Sequence, residues 1–195
     1  MLSVNERLEK LQSDLLAEPP KISAYHDLPF AIFHYPPKDE FLVRKQIKLL
    51  TTRLSNKGKK THLISLARLL WQIIEKTEGI SAIIQEEKEL GFLRAQETVN
   101  TLLSDEDFMP LADELANRMS HLNPQTDIVF LVRVGSLGPA LYRAAKLLDE
   151  MHKKRILVPI ILFYPGTSQG ERDLCFLNLP FKGSTGAYSY RVKIY

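Results

Sequence analysis

Cysteine occurs once in the 195 residues, at Cys175. One thiol excludes an intramolecular disulfide and a thiolate zinc cluster, and so excludes the small disulfide-stapled secreted scaffolds. Long hydrophobic runs are missing too. The longest, such as Ile156–Tyr164, fall far short of the ~20 residues that a membrane-spanning helix needs. The first ten residues, MLSVNERLEK, carry no apolar segment behind a positive one, so no secretory leader is expected. Leu2 stands where a lipidated glycine would be, and Arg191-Val192-Lys193-Ile194-Tyr195 contains no prenylatable cysteine. A strong charge of one sign is also absent. The formal net charge of +3 is too small to imply nucleic-acid binding by the chain as a whole, leaving only local basic patches to consider. These absences together point to a reduced, cytoplasmic compartment with no membrane partner.

What is present is a globular balance, 45% hydrophobic and 25% charged residues, which is too apolar for a disordered chain. Ser3 and Glu6 form a capping-box pair that starts a helix bearing Leu8, Leu11 and Leu15, and Pro19-Pro20 ends it. Phe30 to Tyr35 is an aromatic, β-branched run between prolines and predicts a buried strand. Val43, Ile47, Leu50 and Leu54 recur at helical spacing, and the turn Asn56-Lys57-Gly58-Lys59-Lys60 stops that helix. His62 to Ser65 predicts a short second strand, and Leu66, Leu69, Leu70, Ile73 and Ile74 a further helix. From Gly79 to Leu122 the pattern is helical throughout. Ser104 to Asp107 reads as the cap and acidic first turn of the last helix there, whose apolar face is Phe108, Leu111, Leu115, Met119 and Leu122.

Ile128 to Val132 is nearly continuous and β-rich, as a strand buried on both faces would be. Gly135-Ser136-Leu137-Gly138 turns the chain into a helix with Pro139 in its first position and Leu141, Ala144, Ala145 and Leu148 on its face. Val158 to Tyr164 is the fourth predicted strand, ended by Pro165-Gly166. Leu174 to Leu177 reads as a short strand or extended loop, and Tyr188 to Ile194 alternates as an edge strand does. The alternation of strand and helix predicts an α/β fold with a mostly parallel sheet of about five strands and helices on both faces. It would be Rossmann-like or P-loop-like without a Walker motif, with a helical insertion between strands 2 and 3, in one domain spanning residues 1–195.

Ligand sites in such sheets lie beyond the carboxyl ends of the strands. The turn from Gly135 to Pro139 occupies a phosphate-loop position but has no Lys and lacks the glycine spacing of that loop, and no G-x-G-x-x-G occurs. A tight structural turn is the better reading. Ser136 misses the nucleophile-elbow spacing by one residue, and Cys175 lies in an apolar run that suits a buried, inert thiol. The histidines His26, His34, His62, His121 and His152 include no pair at the spacing of a helical zinc site. His34 and His62, in or beside strands, read as hydrogen-bonded core residues. The basic groups at Lys57, Lys59 and Lys60 and at Lys153, Lys154 and Arg155 follow helices, and helix C-termini account for them. Arg133, closing an apolar strand, calls for a carboxylate, a phosphate or solvent. No catalytic residue, cofactor or metal is expected. The residues read as contacts for a partner or an anion are Arg133, Ser136, Tyr164, Thr167, Tyr190 and Arg191.

Three segments carry a family likeness. The first is Phe30 to Tyr35 with Pro36-Pro37 and Glu40. The second is Arg133 to Pro139, followed by Tyr142-Arg143 and Leu147-Leu148. The third is Pro159 to Gly166, then Gly170, Leu174, Phe176 and finally Tyr190-Arg191. Their order and spacing, over nearly the whole chain, resemble the BrxB family of BREX phage-resistance systems, and Phe163-Tyr164-Pro165-Gly166 with the terminal Tyr190-Arg191 is the most specific part. The resemblance implies a non-catalytic component of a multiprotein anti-phage complex, acting as an adaptor or assembly subunit. It names PglZ first among partners, then BrxC and PglX, with DNA contacted only indirectly or weakly. A homo-oligomer is compatible with it. The alternative is a degenerate nucleotide- or nucleic-acid-binding α/β protein of the same defence system.

Overall fold

A computed structural model describes residues 2–22, 29–168, 174–177 and 192–195. Among the described residues the chain forms α1 (Val4–Leu16), β1 (Phe30–Tyr35), α2 (Glu40–Ser55), β2 (Lys60–Ser65), α3 (Leu66–Lys76), α4 (Ile80–Leu90), α5 (Phe92–Ser104), α6 (Leu111–Met119), β3 (Asp127–Val132), α7 (Gly138–Leu141), α8 (Ala144–His152), β4 (Ile160–Ser168), β5 (Leu174–Phe176) and β6 (Lys193–Ile194). It divides into two compact units. The first comprises Met1–Ile64, Leu122–Gly135 and Leu157–Tyr195, and the second Ser65–His121 and Ser136–Ile156.

The first unit holds the sheet. Five strands run in the order β2-β3-β4-β1-β6, and β5 pairs with β4 off that path. β1 pairs parallel with β4 and with β6, and β3 parallel with β4, while β5 returns antiparallel to β4. The sheet is therefore mostly parallel, as the strand-helix alternation predicts. β1 lies between β4 and β6 and not beside β2, which separates this order from that of the dinucleotide-binding fold.

The interior strands explain the apolar runs. Side chains alternate across a strand, so Ala31, Phe33 and Tyr35 of β1, Ile128 and Phe130 of β3 and Ile161 and Phe163 of β4 share one face. Leu8, Leu11 and Leu15 of α1 and Val43, Ile47, Leu50 and Leu54 of α2 pack against that face. Phe163 lies at its centre, its ring centroid 5.5 Å from Phe33 and 5.3 Å from Phe130. The residues of the opposite face, Phe30, Ile32, Val129, Leu131, Ile160 and Leu162, are buried as well. β2 ends the strand order and is only partly buried, which suits its polar Lys60, Thr61 and His62.

α1 starts as its capping box requires. The Ser3 hydroxyl accepts from the Glu6 amide at 3.3 Å, and the Glu6 carboxylate accepts from the Ser3 amide at 2.7 Å. Three sequence expectations are corrected. β4 does not stop at Tyr164 but continues through Pro165-Gly166 to Ser168. Pro165 has no N–H to give, yet its carbonyl accepts from the Leu177 amide at 2.9 Å, so the returning β5 hairpin holds the strand together there.

The acidic group Asp105 to Asp107 does not open a helix. It forms a turn in which the Asp107 amide donates to the Asp105 carboxylate at 3.0 Å, and α6 begins only after Pro110. Proline keeps the residue before it out of helical conformation, so a helix cannot run through Met109-Pro110. The third correction concerns residues 138–152, where two helices, α7 and α8, replace the single one expected. Tyr142 between them is extended, and the Leu141 carbonyl accepts from the Asn100 side-chain amide at 2.6 Å instead of continuing the helical ladder.

The second unit is all helical. α4 and α5 form a hairpin around Gly91, whose φ of 88° lies in the left-handed region that glycine enters without strain. The Tyr142 hydroxyl donates to Glu150, and Lys146 donates to the Ser104 hydroxyl at 2.8 Å. Lys154, from the basic group after α8, pairs with Asp113.

Candidate functional site

The carboxyl ends of β1 and β4 gather a set of hydrogen-bonded polar groups in the first unit. β1 and β4 run in register, with His34 opposite Tyr164 and Tyr35 opposite Pro165. Arg7, on the face of α1 that meets the sheet, reaches this end. Its Nη1 donates to the His34 carbonyl at 2.8 Å and to the Tyr195 carbonyl at 3.2 Å, and lies 3.4 Å from His34 Nε2. The guanidinium also stands over the Phe33 ring, 5.1 Å from its centroid. Nη1 carries two N–H groups and both go to the His34 and Tyr195 carbonyls, so its approach to Nε2 is a close contact without a hydrogen of its own, while Nδ1 faces the Gly166 carbonyl at 3.4 Å.

Burial lowers the His34 pKa, the neighbouring Arg7 charge lowers it further, and the Gly166 carbonyl only partly opposes them. The folded protein thus keeps His34 neutral at a pH where the unfolded chain would protonate it. The unfolded state binds more protons in that window, so stability rises with pH there and is lost as pH falls below about 6.5. The urea midpoint of the wild type is accordingly expected to drop between about pH 7 and pH 5, and His34→Gln to flatten that acid limb. An unchanged acid limb in the variant would remove His34 as its cause.

One residue on, a second chain of bonds closes. The Tyr35 hydroxyl donates to Glu40 Oε2 at 2.5 Å, and Arg44 Nε donates to Glu40 Oε1 at 2.7 Å. Burial, then the bond to Glu40, pushes the Tyr35 phenol far above its ordinary range. Asp14 of α1 makes a third centre. It accepts from Lys193 Nζ at 2.5 Å and from the Tyr195 hydroxyl at 2.7 Å, tying β6 to the helix beneath the sheet edge. The Tyr195 amide donates to the Ile32 carbonyl at 2.9 Å, which completes the seam between β1 and the end of the chain.

At the amino end of β3, Asp127 is buried and bonds to His62 Nε2 at 2.7 Å and to the Asn123 amide at 2.8 Å. The His62 hydrogen bond is the main reason its carboxyl titrates below the ordinary carboxylate range. β3 and β4 separate β2 from β1, so His62 and His34 do not meet. Each has its own partners, as hydrogen-bonded structural histidines do. Among the described residues no group of three or more His, Cys, Asp and Glu side chains could hold a metal ion.

The residues singled out from sequence fall as follows. Arg133 follows β3 directly, is exposed, and has φ 60°, an uncommon conformation for a residue other than glycine. Tyr164 itself is 1% exposed, its ring against Phe176 with centroids 5.2 Å apart, so its hydroxyl is closed off from solvent. Thr167 lies in the strand that pairs with β5, opposite Cys175, and is half-buried. Ser136 is exposed and belongs to the second unit. Tyr190 and Arg191, like His26 and Gly170, lie outside the described residues. The described part of the C-terminal alternation, Lys193–Ile194, is a strand at the end of the sheet order, as an edge strand should be.

Sequence reasoning did not find Arg7, Glu40 or Asp14 as partners of these groups. The bonds of Arg7 and Asp14 join parts of the chain that no local pattern relates, up to 188 positions apart for Arg7 and Tyr195, whereas Glu40 bonds locally, to Tyr35 and, one helical turn on, to Arg44. The available signs were an arginine within a turn of Leu8 and Leu11 on the first helix and the i,i+4 spacing of Glu40 and Arg44.

The family described as "BREX protein BrxB" matches this chain over residues 62–193. A BREX protein BrxB of Bacillus cereus (strain H3081.97) is 29% identical to it over 190 residues, covering 90% of this chain and 91% of the relative. A BREX protein BrxB of Escherichia coli O9:H4 (strain HS) is 26% identical over 165 residues, covering 85% of this chain and 76% of the relative. No solved structure matches it.

Proposed function

Because the chain belongs to the BrxB family, a component of BREX systems with a role in phage defence, we propose that it is a non-catalytic adaptor that holds other BREX proteins together. The observation that carries this reading is the closure of the strand ends. Arg7, His34, Tyr35 and Glu40 stand where an α/β sheet usually presents its chemistry, and each makes contacts inside the chain, with Arg7 Nε buried and unpartnered among the described residues. A general base needs a lone pair within reach of substrate, and the half-buried His34 ring lies between the Arg7 guanidinium and the Gly166 carbonyl. An adaptor requires only a rigid body, and these bonds supply rigidity. Among the described residues β6 pairs with β1 alone, and its other side would accept a partner strand through main-chain hydrogen bonds.

PglZ is the first expected partner, with BrxC and PglX next, in the cytoplasm. No helix among the described residues is long and apolar enough to cross a membrane. Co-expression with the neighbouring BREX proteins is expected to yield a stable complex containing PglZ after affinity purification and size exclusion. A chain that elutes without PglZ, BrxC and PglX would defeat the adaptor reading.

A second reading, anion binding by a degenerate nucleotide site, is favoured by one observation. Arg133 holds a left-handed backbone at the carboxyl end of β3, and strained positions of this kind gather at ligand sites. Isothermal titration with ATP, GTP and short oligonucleotides decides it. Heat of binding that Arg133→Ala abolishes would support it, and no heat at millimolar nucleotide would remove it.

A further inference from the structure

Two exposed apolar surfaces of this chain carry opposite charge. The outer side of α2 leaves Phe41 74% exposed and also exposes Leu42 and Leu49. The exposed charged residues between and beside them in α2 are Lys45, Lys48 and Arg53. From Phe41 to Ile64 the sequence holds seven Lys and Arg and no Asp or Glu. Of the two carboxylates just before Phe41, Glu40 is already paired with Arg44 and Asp39 is half-buried at the start of the helix.

The turn from α4 to α5 shows the converse. Leu90, Phe92 and Leu93 are 65%, 61% and 72% exposed. No residue of α4 is buried, although the helix carries Ile80, Ile83 and Ile84. Between Gln85 and Glu97 there are four glutamates against Lys88 and Arg94. Arg94 is held by Glu86 and Glu97 of its own hairpin, so the exposed Glu87 and Glu89 face solvent beside the apolar turn.

We propose that the outer face of α2 docks on the α4–α5 turn of a second copy of this chain. Each surface offers apolar groups that single molecules leave in water, and each supplies the charge that the other lacks. Complementary charge sets the register and speeds encounter, while the apolar groups gain burial. Contact of α2 with α2 would oppose bases to bases. Duplex nucleic acid would satisfy the lysines but leave Phe41, Leu42 and Leu49 no apolar partner. A contact of two different surfaces is heterologous and need not stop at two copies. The proposal takes each surface from its own unit, concerns contact between molecules, and does not depend on the adaptor reading.

Sedimentation velocity of the purified chain at tens of micromolar tests it. In low salt, species heavier than the monomer are expected, and they should recede in high salt, where the screening length falls from about 10 Å at 0.1 M to about 3 Å at 1 M. Lys45→Glu with Lys48→Glu, and separately Glu87→Lys with Glu89→Lys, should each weaken association at least tenfold, because each variant then opposes like charges. All four positions are exposed, and circular dichroism should show both variants folded. Mixing the two variants restores opposite charges at every contact and should restore the heavy species. A wild type that stays monomeric in low salt overturns the proposal. So does association unaffected by either charge reversal, or a mixture that remains monomeric. A monomer that binds a duplex oligonucleotide through Lys45 and Lys48 would assign the α2 face to phosphate and overturn it equally.

Discussion

Replacing Gly166 with alanine is expected to destabilise the protein by about 3 kcal/mol, at the upper end of what overpacking usually costs. A Cβ at this position would collide with the Cys175 carbonyl oxygen and with the Tyr164 ring. The first obstacle is backbone in the paired strand β5, with Gly166 opposite Phe176, and the second ring is held by Phe176. Neither can step aside without breaking the β4–β5 hairpin. At roughly 2–4 °C per kcal/mol for a chain of this size, the melting temperature should fall by about 6–12 °C. Gly135→Ala is the control. Its added Cβ would meet only the Pro165 ring, at 3.7 Å, an ordinary contact, so the change should be neutral or slightly stabilising through the unfolded state. Urea unfolding of both variants reads the difference. Equal midpoints for the two would mean that the hairpin yields easily and that β4 does not hold its extension.

The second large effect is expected at Phe163. Phe163→Ala should cost about 3–5 kcal/mol, the range for emptying a buried phenylalanine site. The residue is fully buried on an interior strand, in contact with the rings of Phe33 and Phe130. Three neighbouring strands, β1, β4 and β3, therefore lose their shared contact at once. Domains of this kind have about 5–15 kcal/mol of total stability, so the variant would be marginal and would express poorly. Phe163→Leu keeps most of the volume and should retain the fold with a loss nearer 1 kcal/mol. The ratio of the two losses, measured by urea unfolding of whichever variants express, separates cavity formation from loss of ring contact. An alanine variant as stable as the leucine variant would show that the neighbouring side chains collapse into the space.

Core positions were legible because periodicity reports burial directly. Val43, Ile47, Leu50 and Leu54 recur at helical spacing and are all buried in α2, and the aromatic run Phe30 to Tyr35 is β1. The polar groups at the strand ends were not legible in the same way. His34 could be read as a hydrogen-bonded strand residue, but not that Arg7 and the Gly166 carbonyl hold it. Such bonds depend on which strands become neighbours. The Pro165-Gly166 pair shows how a local rule loses. Proline and glycine ordinarily end a strand, yet here the β5 hairpin accepts what proline can still offer, its carbonyl, and needs the glycine for close approach.

Sequence alone determined the alternation of strand and helix, the buried runs, the lack of reactive motifs at the turns, and the family. Each of these is a local pattern or a fixed succession of residues, and local patterns survive without knowledge of neighbours. The tertiary structure decided the strand order with β1 between β4 and β6, the continuation of β4 past its proline, and the Arg7–His34 and Asp14–Tyr195 bonds. It also decided which apolar side chains remain in water on α2 and at the α4–α5 turn. Those outcomes depend on which segments, distant in sequence, become neighbours, and that is settled only when the whole chain has packed.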